Sequence, residues 1–333
     1  MNILVLSAGV WGTTLAALLG SKGHRIRVWE FDPAVVEAIR KTGHHPRLAH
    51  LDMPPTLEVT TDMAHGLEDA EIIVCVAPAE HVRATLSQLA GLGYNGQPVI
   101  MASKGIERGT HALMADVARQ ALGEKSDGKI CLLSGPTIAF EVSKGMPTVI
   151  TATAVDIALA QQVQKLFRTP RFRVYTQTDM VGVEIASALK NVVAIACGII
   201  DGLGFGSNSK AGLITRGLWE IVRLGVSLGA RQETFFGIAG MGDLVVTCTS
   251  PDSRNRSFGE LIGKGMRVQE ALKQIGMVVE GFYSVQAALD LAAEKGVELP
   301  IIQAVSEVTQ GRMTPLEAVN SLMLREAKGE TEL

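Results

Sequence analysis

Lys190 sits in an apolar run, with Ser187, Val193, Ala186, Ala194 and Cys197 at helical spacings of three, four and seven residues. On a helix these neighbours share its face, so the amine lacks a watery setting and desolvation lowers its pKa. An amine neutral at physiological pH can act as a general base toward a substrate hydroxyl. The alternative is a helix lysine whose stem lies along apolar surface while its amine reaches water. Lys104 follows a run that reads as a strand, where ligands collect in α/β sheets. A second ammonium near Lys190 would lower one of the two pKa values further, although Lys104 by itself reads better as a solvated loop lysine. Ser253-Arg254-Asn255 opens a helix after a proline-containing turn. An N-cap serine, free helix N–H groups and a bidentate guanidinium together make an anion site. An ordinary capped, charged helix start has the same composition. Asp243, in a Gly-rich loop with Thr247 nearby, either orients Lys190 or a substrate hydroxyl, or makes an Asx-turn.

The first strand-to-helix turn reads Ser7-Ala8-Gly9-Val10-Trp11-Gly12. It is a dinucleotide fingerprint, G-x-G-x-x-G, with Ser7 in place of the first glycine. Gly9 lets the backbone approach a pyrophosphate, and Gly12 permits close helix–strand packing. The pyrophosphate would rest on the helix N-terminus. At the end of the second strand, Glu30 is placed to accept ribose hydroxyls and repel a 2′-phosphate. Asp32-Pro33 reads as an N-cap and first turn.

The elements that must hold these residues follow from periodicity. Residues 2–6 read as a strand, Thr13–Lys22 as a helix ended at Gly23, and Ile26–Trp29 as a second strand. Further strand-like runs lie at 71–76, 97–101, 129–133, 147–151 and 172–175, with helical patterns between them. That alternation predicts a doubly wound parallel sheet of Rossmann type over residues 1–178. Beyond Thr178 the strand signal stops. Met180–Asp201, Asn208–Gly229, Ser253–Gly263, Tyr283–Lys295 and Leu316–Arg325 read as helices, so 179–333 is expected to be an all-α substrate domain. The tail GETEL is expected to fray.

Composition narrows the function. The 333 residues are 47% hydrophobic and 20% charged with net charge −3, so nothing global attracts nucleic acid or an anionic membrane. Any anion site must be local. Cys75, Cys131, Cys197 and Cys248 form no metal spacing and read as buried reduced thiols. No Lys or Arg precedes the first apolar run, as a signal peptide requires. The Val192–Ile200 run is too short to span a bilayer, and a cytoplasmic enzyme is expected.

Further segments carry a resemblance. Ser103-Lys104-Gly105, Ser134-Gly135-Pro136-Thr137, Lys190-Asn191, Gly240-Met241-Gly242-Asp243-Leu244, Ser253-Arg254-Asn255-Arg256 and Val279-Glu280-Gly281 together resemble the bacterial NAD(P)-dependent glycerol-3-phosphate dehydrogenases. The likeness runs from residue 2 to about residue 325. It implies reversible hydride transfer between NAD(P)H and dihydroxyacetone phosphate, supplying glycerol 3-phosphate for phospholipid synthesis. It implies Lys190 as base, with Lys104 and Asp243 as catalytic partners. Lys104, Gly135, Thr137, Lys190, Asp243, Thr247, Ser253, Arg254 and Asn255 are implied for substrate. Gly9, Val10, Trp11, Gly12, Glu30, Phe31, Lys104, Ala139, Arg254, Val278 and Glu280 are implied for cofactor. No metal is implied, and there is room for a homodimer. Two departures stand out: Ser7 replaces a glycine, and Phe31 stands where many members carry a basic or histidine residue. With Glu30, Phe31 favours NAD, NADP remaining an accepted alternative. A β-hydroxyacid dehydrogenase shares the plan but lacks the Ser-Arg-Asn anion site. A sensor that binds NAD(H) without turnover has no need of Lys190, Lys104 and Asp243.

Overall fold

The apolar runs of the first half build one sheet. In the computed structural model, which describes residues 1–327 and 329, its strands are β1 (Asn2–Leu6), β2 (Arg25–Trp29), β3 (Leu57–Thr60), β4 (Ile72–Cys75), β5 (Val99–Met101), β6 (Ile130–Ser134), β7 (Thr148–Thr153) and β8 (Phe172–Gln177). Their order is β3-β2-β1-β4-β5-β6-β7-β8. β1 and β4 are adjacent, so the order reverses between them, the place where such sheets bind ligands. β4 and β6 are buried at every residue, as strands covered on both faces must be. The helices interspersed with these strands are α1 (Val10–Ser21), α2 (Pro33–Thr42), α3 (Met63–Leu67), α4 (Ala79–Gly91), α5 (Met114–Leu122), α6 (Ala139–Ser143) and α7 (Ile157–Phe167). Asp32 caps α2 by accepting the Ala34 N–H at 2.9 Å, with Pro33 in the first turn.

The sheet is not wholly parallel. β7 runs antiparallel to β6, and β8 is parallel to β7. The connection explains the reversal. The segment between β6 and β7, residues 135–147, holds only the five-residue α6 in place of the longer helix that usually makes a parallel crossover. β3 carried no clear sequence signal because LEVT is short, half polar and preceded by Pro54-Pro55.

The chain divides into two compact units, the first made of Met1–Ser103 and Met114–Met180, the second of Lys104–Leu113 and the chain from Val181 onward. A ten-residue arm from the first half of the sequence thus belongs to the helical unit. That unit contains α8 (Met180–Gly202), α9 (Ser207–Ser227), α10 (Asp243–Thr249), α11 (Arg254–Gly263), α12 (Val268–Ile275), α13 (Glu280–Lys295), α14 (Pro300–Thr309) and α15 (Pro315–Met323). α10, α12 and α14 had not been expected as helices. Glu330–Leu333 of the tail lie outside the described residues.

The apolar stretch around Lys190 extends over the whole 23-residue α8, longer than Val192–Ile200. By length and composition α8 could cross a membrane, but its apolar window is 100% buried within the fold. It is a core helix. α8 meets α11 backbone to backbone through Gly198 and Gly202 on one side and Gly259 and Gly263 on the other. A Cβ on Gly198 would lie 1.9 Å from the Arg256 carbonyl oxygen, and one on Gly259 2.0 Å from that of Ile195. Small residues four apart allow this approach. All four cysteines are buried and free.

One strained residue lies in the fingerprint turn. Ser7 has φ +87°, in the region that favours glycine. Its N–H nonetheless bonds the Trp29 carbonyl at 2.8 Å, and a Cβ on Gly12 would lie 2.1 Å from the Ser7 carbonyl oxygen. The turn is therefore fixed by its neighbours regardless of residue type. Ser7→Gly should relieve strain of about 1–3 kcal/mol against a backbone-entropy cost of about 0.5–1 kcal/mol. A net gain of about 1 kcal/mol is expected in urea unfolding; an unchanged or lower midpoint would show that Ser7 is unstrained.

Candidate active site

In the helical unit, three charged side chains from distant parts of the sequence meet. Lys190 comes from the middle of α8, and Asp243 is the first residue of α10. Lys104 opens the arm of residues 104–113. Asp243 lies not in a loop but after a single π turn, Ile238–Gly242. A Cβ on Gly240 in that turn would lie 2.2 Å from the Phe235 carbonyl oxygen, so only glycine lets the chain settle there. Turns of this kind recur at functional sites.

The Asp243 carboxylate, 1% exposed, accepts a hydrogen bond from Lys104 Nζ at 2.8 Å on Oδ2. Its Oδ1 accepts one from Lys190 Nζ. Lys190 also donates to Thr247 Oγ1 at 2.8 Å, and that hydroxyl donates to the Asp243 carbonyl at 2.6 Å. Thr247 lies one turn beyond Asp243 on α10, so the helix sets their spacing. Burial pushes the Lys190 amine down to about 7. The Asp243 charge opposes that shift, and the Lys104 ammonium adds to it. The shift brings the Lys190 amine down toward physiological pH, where a group can exchange a proton in either direction. No snorkelling occurs, and Asp243 makes no Asx-turn.

A second feature adjoins it through α8, at the start of α11. Ser253 caps α11, its Oγ accepting the Arg256 N–H at 3.3 Å. Arg254 is exposed in the first turn, whereas Asn255 is buried. Asn255 Nδ2 donates to Asn191 Oδ1 at 3.0 Å, and its Oδ1 accepts the Gly281 N–H at 2.9 Å. Asn255 thus ties α8 and the start of α13 to α11, leaving one amide proton for a ligand. Asn191, beside Lys190, was missed as a site residue; its only sequence signal was membership of the Lys190-Asn191 pair. Val278 and Glu280 flank the N-terminus of α13. Arg256, further along α11, is held by Asp201 at 2.7 Å and Glu260 at 3.3 Å.

The first unit has its own cleft, a cavity of about 700 Å³ at the carboxyl ends of β1, β2 and β4, lined by Ser7–Val10, Glu30, Phe31, His45 and Arg47 among others. Gly9 has φ −63° and ψ 172° and gives α1 no side-chain cap. A Cβ there would meet only Ser7 Oγ, at 3.8 Å. Among the described residues nothing requires glycine at position 9, whereas a close approach of an anion to the α1 N-terminus would. The residues therefore fit a dinucleotide pyrophosphate. Val10 and Trp11 begin α1 behind it.

Glu30 is less free than expected. Only 4% exposed, it accepts the Ala8 N–H at 2.7 Å and the Asp32 N–H at 3.3 Å. It braces the fingerprint loop against the end of β2, with lone pairs to spare for a ribose. Phe31 is 74% exposed at the cleft rim. His45 and Arg47 had no sequence signal. Burial, then the Arg47 charge, pushes the His45 imidazole below its usual range, against a hydrogen bond to the Ala8 backbone. In the same unit, Gly135, Thr137 and Ala139 lie on the segment after β6, with Thr137 Oγ1 donating to the Gly135 carbonyl at 3.2 Å. Among the described residues no cluster of His, Cys, Asp or Glu is placed to hold a metal ion.

A Rossmann-type sheet with a fingerprint cleft, together with a buried lysine of lowered pKa in a helical unit, has the make-up of a dinucleotide-dependent dehydrogenase. Two family models, the N-terminus and the C-terminus of NAD-dependent glycerol-3-phosphate dehydrogenase, match residues 2–160 and 179–320. The chain belongs to that family. It is 43% identical over 325 residues to a glycerol-3-phosphate dehydrogenase (NAD(P)+) of Protochlamydia amoebophila, covering 98% of each chain. With the Geobacter sulfurreducens protein of the same name it shares 45% identity over 330 residues, 99% of this chain and 98% of that one. The crystal structure of glycerol-3-phosphate dehydrogenase from Coxiella burnetii superposes with a TM-score of 0.92 at 35% identity, covering 97% of this chain and 99% of that one.

The depressed Lys190 amine can be observed directly. In a carbon-13 titration of lysine ε-carbons, one resonance should turn over near pH 7 and vanish in Lys190→Met. Because the folded value lies below the ordinary lysine value of about 10.5, the unfolded chain holds more protons between about pH 7 and 10.5. This group therefore makes stability rise across that window. If every lysine titrates above pH 9, the amine is not desolvated.

Proposed function

We propose that the chain interconverts dihydroxyacetone phosphate and sn-glycerol 3-phosphate with NAD(P)H, supplying glycerol 3-phosphate for phospholipid synthesis in the cytoplasm. The observation that carries this reading is the buried Lys190–Asp243–Lys104 cluster, a proton acceptor poised near neutrality. In the oxidation direction, neutral Lys190 takes the proton of the substrate hydroxyl. In reduction, its ammonium returns that proton to the forming alkoxide. Asp243 and Thr247 fix the amine so that its remaining capacity faces substrate, and Lys104 adds positive charge where alkoxide character develops. Ser253, Arg254 and Asn255 at the α11 N-terminus take the substrate phosphate, the guanidinium by paired hydrogen bonds. Gly135 and Thr137 are further substrate residues by family resemblance.

Residues 1–178 serve the dinucleotide and 179–333 the substrate, with Lys104 an exception carried by the arm. Gly9, Val10, Trp11 and Gly12 hold the pyrophosphate on α1. Glu30 and Phe31 serve the adenosine ribose, and Lys104, Ala139, Arg254, Val278 and Glu280 complete the cofactor set. When bound, the nicotinamide supplies or accepts the hydride. The reading leaves room for a homodimer.

The purified protein should oxidise NADH, followed at 340 nm, only when dihydroxyacetone phosphate is present. Lys190→Met should lower kcat by about two to four orders of magnitude. Turnover of 3-hydroxyisobutyrate with none of the ketone phosphate would replace the substrate assignment.

Of the two cofactors we place NAD first. Support comes from the Glu30 carboxylate on the cleft wall, the exposed Phe31 and a His45 held neutral. Arg47 is the cation on the same wall. The wild type should favour NADH in kcat/KM, and Glu30→Gln, which keeps shape but removes charge, should lower that ratio by about an order of magnitude. A wild-type preference for NADPH that disappears in Arg47→Gln would assign the wall to a 2′-phosphate instead.

A further inference from the structure

The arm of residues 104–113 is built to stay on the helical unit. Ile106 is buried in that unit's core and bridges Leu113 in antiparallel fashion. Glu107 N–H bonds the Ala112 carbonyl at 2.9 Å, and His111 N–H bonds the Glu107 carbonyl at 3.0 Å, closing a small hairpin. Gly105, next to Lys104, has φ +141°, and His111 has φ +57°. Two side chains then fasten the hairpin to α13. The exposed Arg108 guanidinium lies 3.6 Å from the centroid of the Tyr283 ring. His111 Nε2 lies 3.1 Å from Asp290 Oδ2, whose other oxygen is held by Gln286 at 2.8 Å. Tyr283 in turn stacks edge-on against Phe282, and Phe282 against the fully buried Phe258 of α11. The fastening therefore ends on the same core that supports the cluster.

We infer that the arm is a positioning element for proton transfer: Arg108 on Tyr283 and His111 on Asp290 clamp it to α13, and so hold the Lys104 amine on Asp243. Lys104 is the residue at which the chain enters the helical unit, with a conformationally free glycine next to it. The distal clamp keeps its ammonium at 2.8 Å from the carboxylate. Arg108, Tyr283, His111 and Asp290 touch none of the reacting groups; they act through Lys104.

The charged groups acting on Lys190 are Asp243 from α10 and Lys104 from the arm; Cys248 of α10 feels the charges of Lys190 and of Lys210 on α9, and pairs with Cys197 of α8. Of these, only Lys104 depends on the clamp. Its charge lowers the Lys190 pKa, and its hydrogen bond competes for Asp243. Releasing the arm removes both effects, so Lys190 holds its proton to higher pH. Oxidation of glycerol 3-phosphate, which needs the neutral amine, then loses rate from the acid side.

The inference rests on Lys190 being the base. The experiment measures kcat against pH for glycerol 3-phosphate oxidation by the NAD-loaded enzyme. The variants are Lys104→Met, Arg108→Gln/His111→Asn, their combination, and Tyr283→Phe. Asparagine is chosen at position 111 because it tolerates a positive φ. The acidic limb should move to higher pH by on the order of half a unit or more in Lys104→Met and in the double variant. The combination should move it no further than Lys104→Met alone. Tyr283→Phe, which keeps the ring face, should leave the limb at the wild-type position. A limb unmoved by the double variant, or by Lys104→Met, would overturn the inference. A limb that survives in Lys190→Met would overturn the base assignment and this inference with it.

Discussion

Burying a carboxylate is the constraint around which the helical unit is arranged. Asp243 is 1% exposed, and an ionised group removed from water costs several kcal/mol unless its oxygens are matched by cations and donors. Two lysines supply that match, one to each oxygen. Neither could do so alone without leaving an acceptor bare. The arrangement works only if α8, α10 and the arm are held together to within hydrogen-bonding tolerance. With both lysines protonated the cluster would carry one surplus positive charge, and burial, which disfavours that charge, sets the Lys190 amine apart from an ordinary lysine.

Side chains could be positioned this closely only by bringing backbones together. The glycine crossing fixes α11 on α8, and with it the placement of Asn255 on Asn191. The π turn before Asp243 rests on the Phe235 backbone. In the sheet unit the same logic appears as Gly12 against the Ser7 carbonyl, with Glu30 bracing the loop from the side. Ser7 is the one member of that loop whose conformation its residue type resists.

The parts legible in the sequence were those encoded by local periodicity. The βαβ start, the helical second half and the apolar face around Lys190 all follow from spacings within a dozen residues. The antiparallel β7 was hidden because a five-residue helix and a longer crossover look alike in a string of apolar runs. α10, α12 and α14 were missed where capping was weak or the apolar pattern short, and β3 where prolines and polar residues masked it. Glu30 was read from its position alone, and the structure adds the backbone donors that occupy it. Asp243 and Lys104 were singled out by motif, but their meeting on one carboxylate is a contact across 139 residues. No window along the chain contains it. The transfer of residues 104–113 to the helical unit was invisible for the same reason.

The glycine crossing also shapes how this enzyme can change over time. Where helices touch through side chains, a larger residue on one can be absorbed by a rotamer shift or a smaller neighbour on the other. Between Gly198, Gly202, Gly259 and Gly263 there is no such slack, because each missing side chain faces a carbonyl or an α-carbon of the opposite helix. A substitution at one position cannot be compensated by a second at its partner, since the partner has nothing left to shed. Divergence at this crossing is therefore closed to stepwise paths. The surrounding helices are free to drift in sequence, while the distance between α8 and α11, and the Asn191–Asn255 contact that depends on it, is inherited as a fixed dimension.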